Sequence, residues 1–291
     1  MKYLTPRVAL VLLLLITAPV FCQVQHHAAT GLVLKVETSR RSATISCGEI
    51  PGYMPAMTMS FSVPDAKDFA MAAPGTVVDF VVVADKDSVH IESVRKHAYQ
   101  GLEPDPSAAR RLKLLAQATS RPSKPLALGE SVPDFTLTAQ DGRRVAFSEF
   151  HGKVTALNFV YTRCALPNFC VRSTNNFGDL QKRFKTDLRR NLVLLTVTFD
   201  PVHDSPEVMA KYARRWNADP EAWHFLTGPE AAIRHVCDLF GEDYFPDEGL
   251  MDHSLHTAII DRGGHLVANI EGNEVTSQQL GDLIEAVLRP R

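Results

Sequence analysis

Five short strand-like segments without a long helix, a proline-bracketed joint, and then a regular alternation of strands and helices predict a chain of two domains. The first reads as a small all-β barrel of the OB type over residues 29–96, and the second as an α/β domain with a central sheet over residues 128–291. Residues 97–127 link them, and a length of 291 residues accommodates both units.

Taken in order, residues 1–22 read as a secretory signal. Lys2 and Arg7 give a positive start, Val8 to Ile16 is apolar without interruption, and Pro19 precedes a cleavage point near Cys22. The apolar run is short for a permanent membrane span, and Phe21 is bulky where lipidation of Cys22 would want a small residue. The mature protein is therefore expected outside the cytoplasm, free or tethered at one end only.

The barrel strands are expected at Leu32–Val36, Ala43–Ser46, Met57–Phe61, Val77–Val83 and Val89–Val94. Turns at Ser39-Arg40-Arg41 and Asp85-Lys86-Asp87 separate them. Five strands with no long helix among them describe a closed barrel. In the joint, Pro104, Pro106, Pro122 and Pro125 bracket a basic helical patch, Ala108 to Ala118. Beyond Leu128 come a core strand from Val154 to Tyr161, a helix near Ser173–Lys185, the strand Leu192–Phe199 and a helix from Pro206 to Trp216. Ser205 is placed to cap that helix, with Pro206 at its first position. A helix near Pro229–Phe240 follows, then strands Thr257–Asp261 and His265–Ile270 about Gly263-Gly264, and a closing helix from Ser277.

The net charge of −2, from 31 basic and 33 acidic residues, argues against nucleic acid as a partner, because neutralising phosphates needs a basic surface. Four of the five cysteines remain beyond the leader, Cys47, Cys164, Cys170 and Cys237. In an oxidising compartment, two nearby thiols ordinarily close a structural disulfide. That is one reading of Cys164 and Cys170, which stand six positions apart just past the first core strand. The other joins them to His253: two soft thiols and an imidazole suit Cu(I), or Cu(II) if further ligands join. Zinc takes the same donors, but its structural sites close with four, and no fourth is obvious nearby. Cys170 lies just ahead of a helical stretch beginning near Arg172, where a helix N-terminus favours the thiolate. It is therefore the expected activated sulfur. Cys237, inside an amphipathic helix, reads as a buried core thiol. His265 reads as solvated beside its turn.

Residues 128–291 resemble the SCO/SenC family of copper-delivery proteins, which have a thioredoxin-like fold. The resemblance is carried by Val132-Pro133-Asp134-Phe135-Thr136-Leu137, by Phe159–Cys170, by Thr198-Phe199-Asp200-Pro201-Val202-His203-Asp204-Ser205-Pro206, and by Asp252-His253-Ser254. It implies Cys164, Cys170 and His253 as copper ligands, with Asp200 and Asp204 shaping the site. His256 is a second candidate three residues on, and aligning the strand and its glycine turn to the family favours His253. The chain departs from the family in its cysteine loop. Five residues intervene rather than three, and Ala165 and Val171 stand where the family has proline.

In the barrel, Met57 and Met59 of the string Met54-Pro55-Ala56-Met57-Thr58-Met59 point to one face of a strand. Cys47, at the end of the preceding strand, is placed to meet them, and thioether with thiolate selects Cu(I) or Ag(I). The domain resembles the CusF-like periplasmic copper-binding domains. By that resemblance Met57 and Met59 match the two methionine ligands, Cys47 stands near the place of the histidine, and Met54 near that of the covering aromatic, with Tyr53 as a substitute cover. His26 and His27 read as a solvated tail.

The leading expectation is an exported copper metallochaperone rather than an enzyme. The barrel captures Cu(I), and the second domain delivers copper to a client, by family resemblance the binuclear copper centre of a cytochrome oxidase. A thiol–disulfide oxidoreductase cycling Cys164 and Cys170 is the first alternative, but it has no use for His253 or the methionines. Copper sequestration without delivery is the second, and it explains the barrel better than the α/β domain.

Overall fold

The computed structural model describes residues 24–85, 88–99, 124–164, 166–247 and 250–289. The expected leader, the helical patch of the joint and Ala165 of the cysteine loop lie outside the described residues.

Strands β1 (Gln25–Glu37), β2 (Ser42–Cys47), β3 (Met57–Ser62), β4 (Val77–Ala84) and β5 (Val89–Lys96) close into a barrel in the order β1-β2-β3-β5-β4. β1 makes the closure possible because it is long enough to pair with β4 along its first half and with β2 along its second. Gly31 sits where the two pairings meet. A Cβ there would stand 2.5 Å from Ile45 Cγ2 and 2.9 Å from the Ser46 carbonyl oxygen, so the close approach requires glycine. The interior is filled by Val33, Ile45, Phe61, Phe80, Val82 and Ile91, all essentially unexposed. A short helix, α1 (Ala66–Met71), links β3 to β4. Asp65 caps it, accepting from the backbone N–H groups of Lys67 and Asp68 at 2.7 and 3.0 Å. Two expectations are corrected here. The histidines at 26 and 27 belong to β1 rather than to a tail, and the strand begins four residues ahead of the expected boundary at 29.

The α/β domain is built on a sheet of β6 (Thr136–Ala139), β7 (Arg144–Ala146), β8 (Val154–Val160), β9 (Leu192–Thr198), β10 (Trp223–Thr227), β13 (His256–Ile260) and β14 (Leu266–Glu271). Its order is β14-β13-β8-β9-β10-β6-β7. β8, β9 and β10 run parallel, and every residue of the three is buried. Strands that carry no polar face are those covered on both sides, here by α2 (Arg172–Arg183), α3 (Pro206–Arg214), α4 (Glu230–Phe240) and α5 (Ser277–Leu288). The Ser205 cap forms as the sequence predicts, accepting from the Val208 N–H. A separate two-stranded ribbon, β11 (Tyr244–Asp247) with β12 (Leu250–His253), stands outside the main sheet.

The barrel rests on α5. Leu32 and Leu34 join the core of the α/β domain. Ser46 and Thr58 hydroxyls both donate to Asp282 Oδ2, at 2.7 and 2.8 Å, and Gln279 Nε2 donates to the Ser46 carbonyl at 3.1 Å. His97, just past β5, bridges Asp79 of the barrel at 2.8 Å and Glu274 at 2.5 Å.

Candidate metal centre

The C-terminal ends of parallel strands are where α/β sheets present their working loops, and β8 and β9 each supply one. After β8 the chain turns through Tyr161-Thr162-Arg163 to Cys164, then through a single wide turn, Pro167–Val171, into α2. The loop after β9 carries Asp200 and Asp204. Asp204 is fully buried and accepts from the Thr162 N–H at 3.1 Å, the Thr162 hydroxyl at 2.5 Å and the Thr198 hydroxyl at 2.5 Å. It therefore ties the start of the cysteine loop to the end of β9. Burial pushes its carboxyl up, against the pull of those three donors. Asp200 accepts from Arg163 Nη2 at 2.8 Å and stands 2.8 Å from His203 Nδ1, which clamps the next residue of the same loop.

The ribbon brings His253 to the cysteines from the other side. Its Nε2 lies 3.9 Å from Cys170 Sγ. Its ring packs against Phe199 at 4.6 Å, Tyr161 at 5.8 Å and Phe169 at 6.1 Å between centroids. On the far edge of the ring, Nδ1 donates to the Ser254 carbonyl and stands 3.4 Å from Glu242 Oε1. A carbonyl oxygen can only accept, so Nδ1 carries a hydrogen and the Nε2 edge of the ring faces the sulfurs. The described cysteines are all free thiols.

The two sulfurs differ in character, and in the opposite sense to the expectation. A hydrogen bond from Cys170 pulls the Cys164 thiol well below its ordinary value, burial opposes this, and His253 adds to the lowering. Cys170 is pushed up, first by burial and then by the neighbouring Cys164 sulfur. Cys170 is unexposed, and desolvation of a thiolate outweighs what the end of α2 offers it. Cys164 is therefore the activated sulfur, and Cys170 is its hydrogen-bond donor. Burial alone would depress the His253 imidazole; Cys164 and Glu242 overcome this and raise it to about 9.

A sulfur and a nitrogen about 2.3 and 2 Å from one ion stand somewhat under 4 Å apart, so the Cys170–His253 separation leaves room for a metal between them. The donor set, two sulfurs and an imidazole with an aromatic wall, is a soft one. Among the described residues no three His, Cys, Asp or Glu side chains form a finished metal cage.

The remaining sequence candidates fall elsewhere. His256 turns to Asn269, with Nδ1 3.1 Å from its Oδ1. His265 is half exposed beside Asp261, and Cys237 is unexposed in the core on α4. Glu242 was not singled out from the sequence. Its only signal is the preceding Gly241, which ends α4 in the left-handed conformation at φ 74° and turns the next residue inward.

In the barrel, Cys47 pairs directly with Met57, and Ile45 with Met59. Ser46 and Thr58 use the opposite face for Asp282, so Cys47, Met57 and Met59 share the inner one. Cys47 is 1% exposed, and burial pushes its thiol up to about 12. Met57 is 41% exposed at the rim. Met54 and Met59 pack half-buried against the barrel core. The Tyr53 ring stacks on His27 with centroids 4.1 Å apart.

Comparison with known proteins gives two family matches. The SCO1/SenC model matches residues 124–289, more than half of the chain, and the model described as copper binding periplasmic protein CusF matches residues 26–96. The SCO1 protein homolog of Bacillus subtilis (strain 168) is 31% identical over 101 residues, covering 35% of this chain and 51% of that protein. The alignment thus spans about half of that relative's length. The SCO2-like protein RT0576 of Rickettsia typhi (strain ATCC VR-144 / Wilmington) is 28% identical over 178 residues, covering 54% of this chain and 83% of its own. A solved SCO1/SenC family lipoprotein from Bacillus anthracis str. Ames superposes with a TM-score of 0.50 at 25% identity, over 57% of this chain and 98% of that one. The α/β domain has the thioredoxin-like fold of these proteins.

Proposed function

The chain belongs to the SCO1/SenC family, and from that premise we propose that it is an extracytoplasmic copper metallochaperone. Cys164, Cys170 and His253 hold copper in the α/β domain as Cu(I) or Cu(II). Cys47, Met57 and Met59 hold Cu(I) in a barrel of the OB type. The copper is passed to the copper centre of a respiratory oxidase. The observation that carries this reading is the approach of His253 Nε2 to Cys170 Sγ, because it adds an imidazole to the thiol pair as the third soft donor that copper takes. The match of residues 26–96 to a periplasmic copper-binding protein supports both the metal and the compartment. Among the described residues, no helix is long and apolar enough to cross a membrane.

Binding would proceed from the protonation pattern of the empty site. Cys164 offers a thiolate at once. Cys170 and His253 must each release a proton before they can ligate, so copper uptake displaces protons and strengthens as pH rises. Release uses the half-exposed Cys164, where an incoming donor can attack. Asp204 and Asp200 keep the loop in place throughout.

One observation favours a second reading, thiol–disulfide exchange. A half-exposed, activated Cys164 beside a buried Cys170 is also an attacking and resolving pair. Delivery and exchange are separated by incubating copper-loaded full-length protein with the apo copper domain of an oxidase subunit. Metallochaperone action predicts the visible absorption of an assembled centre. Reduction of a client disulfide with no metal transfer would favour exchange.

A further inference from the structure

A cavity of about 390 Å³ opens between the start of α4, the loop after β9 and the β11–β12 ribbon. Phe199, Pro246 and Met251 give it apolar walls, and Val202, 78% exposed, also lines it. Phe199 belongs to the copper centre as well, since its ring packs on His253 at 4.6 Å and stacks on Tyr244 at 5.4 Å. Arg163, the sequence neighbour of Cys164, borders the same space.

Two donors here lack an acceptor among the described residues. Tyr244 is 8% exposed, and its hydroxyl is buried with no hydrogen-bond partner. The Arg234 guanidinium lies over the Tyr244 ring, 3.5 Å from its centroid, and forms no ion pair. A guanidinium stacked this closely uses its face and keeps its in-plane N–H groups for a second partner. Those groups match the fork of a carboxylate. The carboxylates bordering the cavity do not supply it. Asp200 is held by Arg163 and His203, both at 2.8 Å, and Glu230, exposed one turn earlier on α4, does not reach Arg234.

We propose that Arg234 and Tyr244 form a carboxylate-binding subsite at which the copper-accepting partner docks, an acidic side chain of that partner taking the guanidinium edge while its apolar surface covers Val202. The inference rests on the copper-delivery reading. The polar pair is set in apolar walls that run out to an exposed valine, a surface larger than a free small anion covers. The shared Phe199 ring puts the docked partner beside the site that copper must leave. Side-chain adjustment of the kind common on binding brings the Tyr244 hydroxyl to the same carboxylate. Glu230 lines the same cavity and opposes an anion there, so its removal has the opposite sign.

The test measures copper transfer from the full-length, Cu(I)-loaded chain to the apo copper domain of an oxidase subunit, against acceptor concentration. Arg234→Gln should raise the half-saturating concentration at least about tenfold, the loss of one charged pair, with Cu(I) affinity and maximal rate unchanged. Glu230→Gln should lower it severalfold, and at an exposed position it tests the subsite even if Arg234→Gln disturbs the fold. Tyr244→Phe should raise it severalfold without loss of thermal stability, because a hydroxyl without a partner has no bond to lose. Acetate should compete only far above the acceptor's half-saturating concentration; competition at or below it makes the cavity a small-anion site and overturns partner docking. Unchanged half-saturation in Arg234→Gln and Glu230→Gln overturns the subsite while leaving copper delivery standing. No transfer from the wild-type chain overturns the delivery reading, and this inference with it.

Discussion

Cys170 Sγ and His253 Nε2 meet at 3.9 Å although 83 positions separate them in the chain. Three elements produce the contact: the turn that feeds α2, the β11–β12 ribbon, and the aromatic floor of Phe199 between them. The same contact explains why the thiols differ. Cys170 is sealed beneath the ring, and Cys164 is left at the opening as the sulfur that holds charge.

Alkylation should report that asymmetry. Iodoacetamide is expected to modify Cys164 in the native, metal-free protein at near-constant rate between pH 6 and pH 8, because its thiolate is already formed. Cys170 should resist until the protein unfolds. Peptide mass spectrometry after timed labelling reads both sites, and faster labelling of Cys170 would reverse the assignment.

Asp204 anchors the loop rather than the metal. Asp204→Ala leaves the Thr162 and Thr198 hydroxyls and a backbone N–H without their acceptor in a buried place. It should cost about 3 kcal/mol of stability, read as a lower urea midpoint with an unchanged slope. A change below about 0.5 kcal/mol would mean that the loop is held by other contacts.

The barrel donors should be separable from the barrel fold. Met57 is 41% exposed, so Met57→Ala should change stability by under about 0.5 kcal/mol. Combined with Met59→Ala it should still remove one equivalent of Cu(I) from the full-length chain. Cys47 is interior, and Cys47→Asp should unfold the barrel as well as empty it. Circular dichroism beside copper stoichiometry distinguishes the two effects.

The joint between the domains should respond to pH through His97. Burial alone would lower the His97 imidazole, but its bonds to Asp79 and Glu274 outweigh that and raise it above 6.5. A raised folded value gives stability that is full below 6.5 and fades as pH climbs through the folded value. Asp79 is held below 3.8, its bonds to Thr30 and His97 outweighing burial, so its share is present above 3.8 and fades only as pH falls through the lower folded value. The stability difference between wild type and His97→Gln should thus be greatest between those limits and close on the alkaline side. A difference that widens with rising pH would contradict the clasp.

Much of this was legible from residue pattern. The parallel strands read clearly because β-rich, largely apolar runs such as Leu192–Thr198 signal burial on both faces. Ser205-Pro206 marked its helix start for local reasons. The cysteine loop and His253 were visible as chemistry. What escaped depended on long-range placement. The ribbon strands at 244–247 and 250–253 have neither alternation nor an apolar run, since they pack Tyr244 and His253 onto Phe199 instead of pairing with the main sheet. Glu242 and the His27–Tyr53 stack are meetings of segments that no local period announces. The order of the two thiols runs against what the helix end offers Cys170 because that sulfur is unexposed, and burial is a property of the assembled core.

The most direct test of the central claim is an anaerobic Cu(I) titration of the full-length protein under chelator competition, repeated on His253→Ala. Two tight equivalents in the wild type and one in His253→Ala are predicted, with the remaining equivalent lost on replacing Met57 and Met59. Two equivalents of unchanged affinity in His253→Ala would contradict the three-donor site.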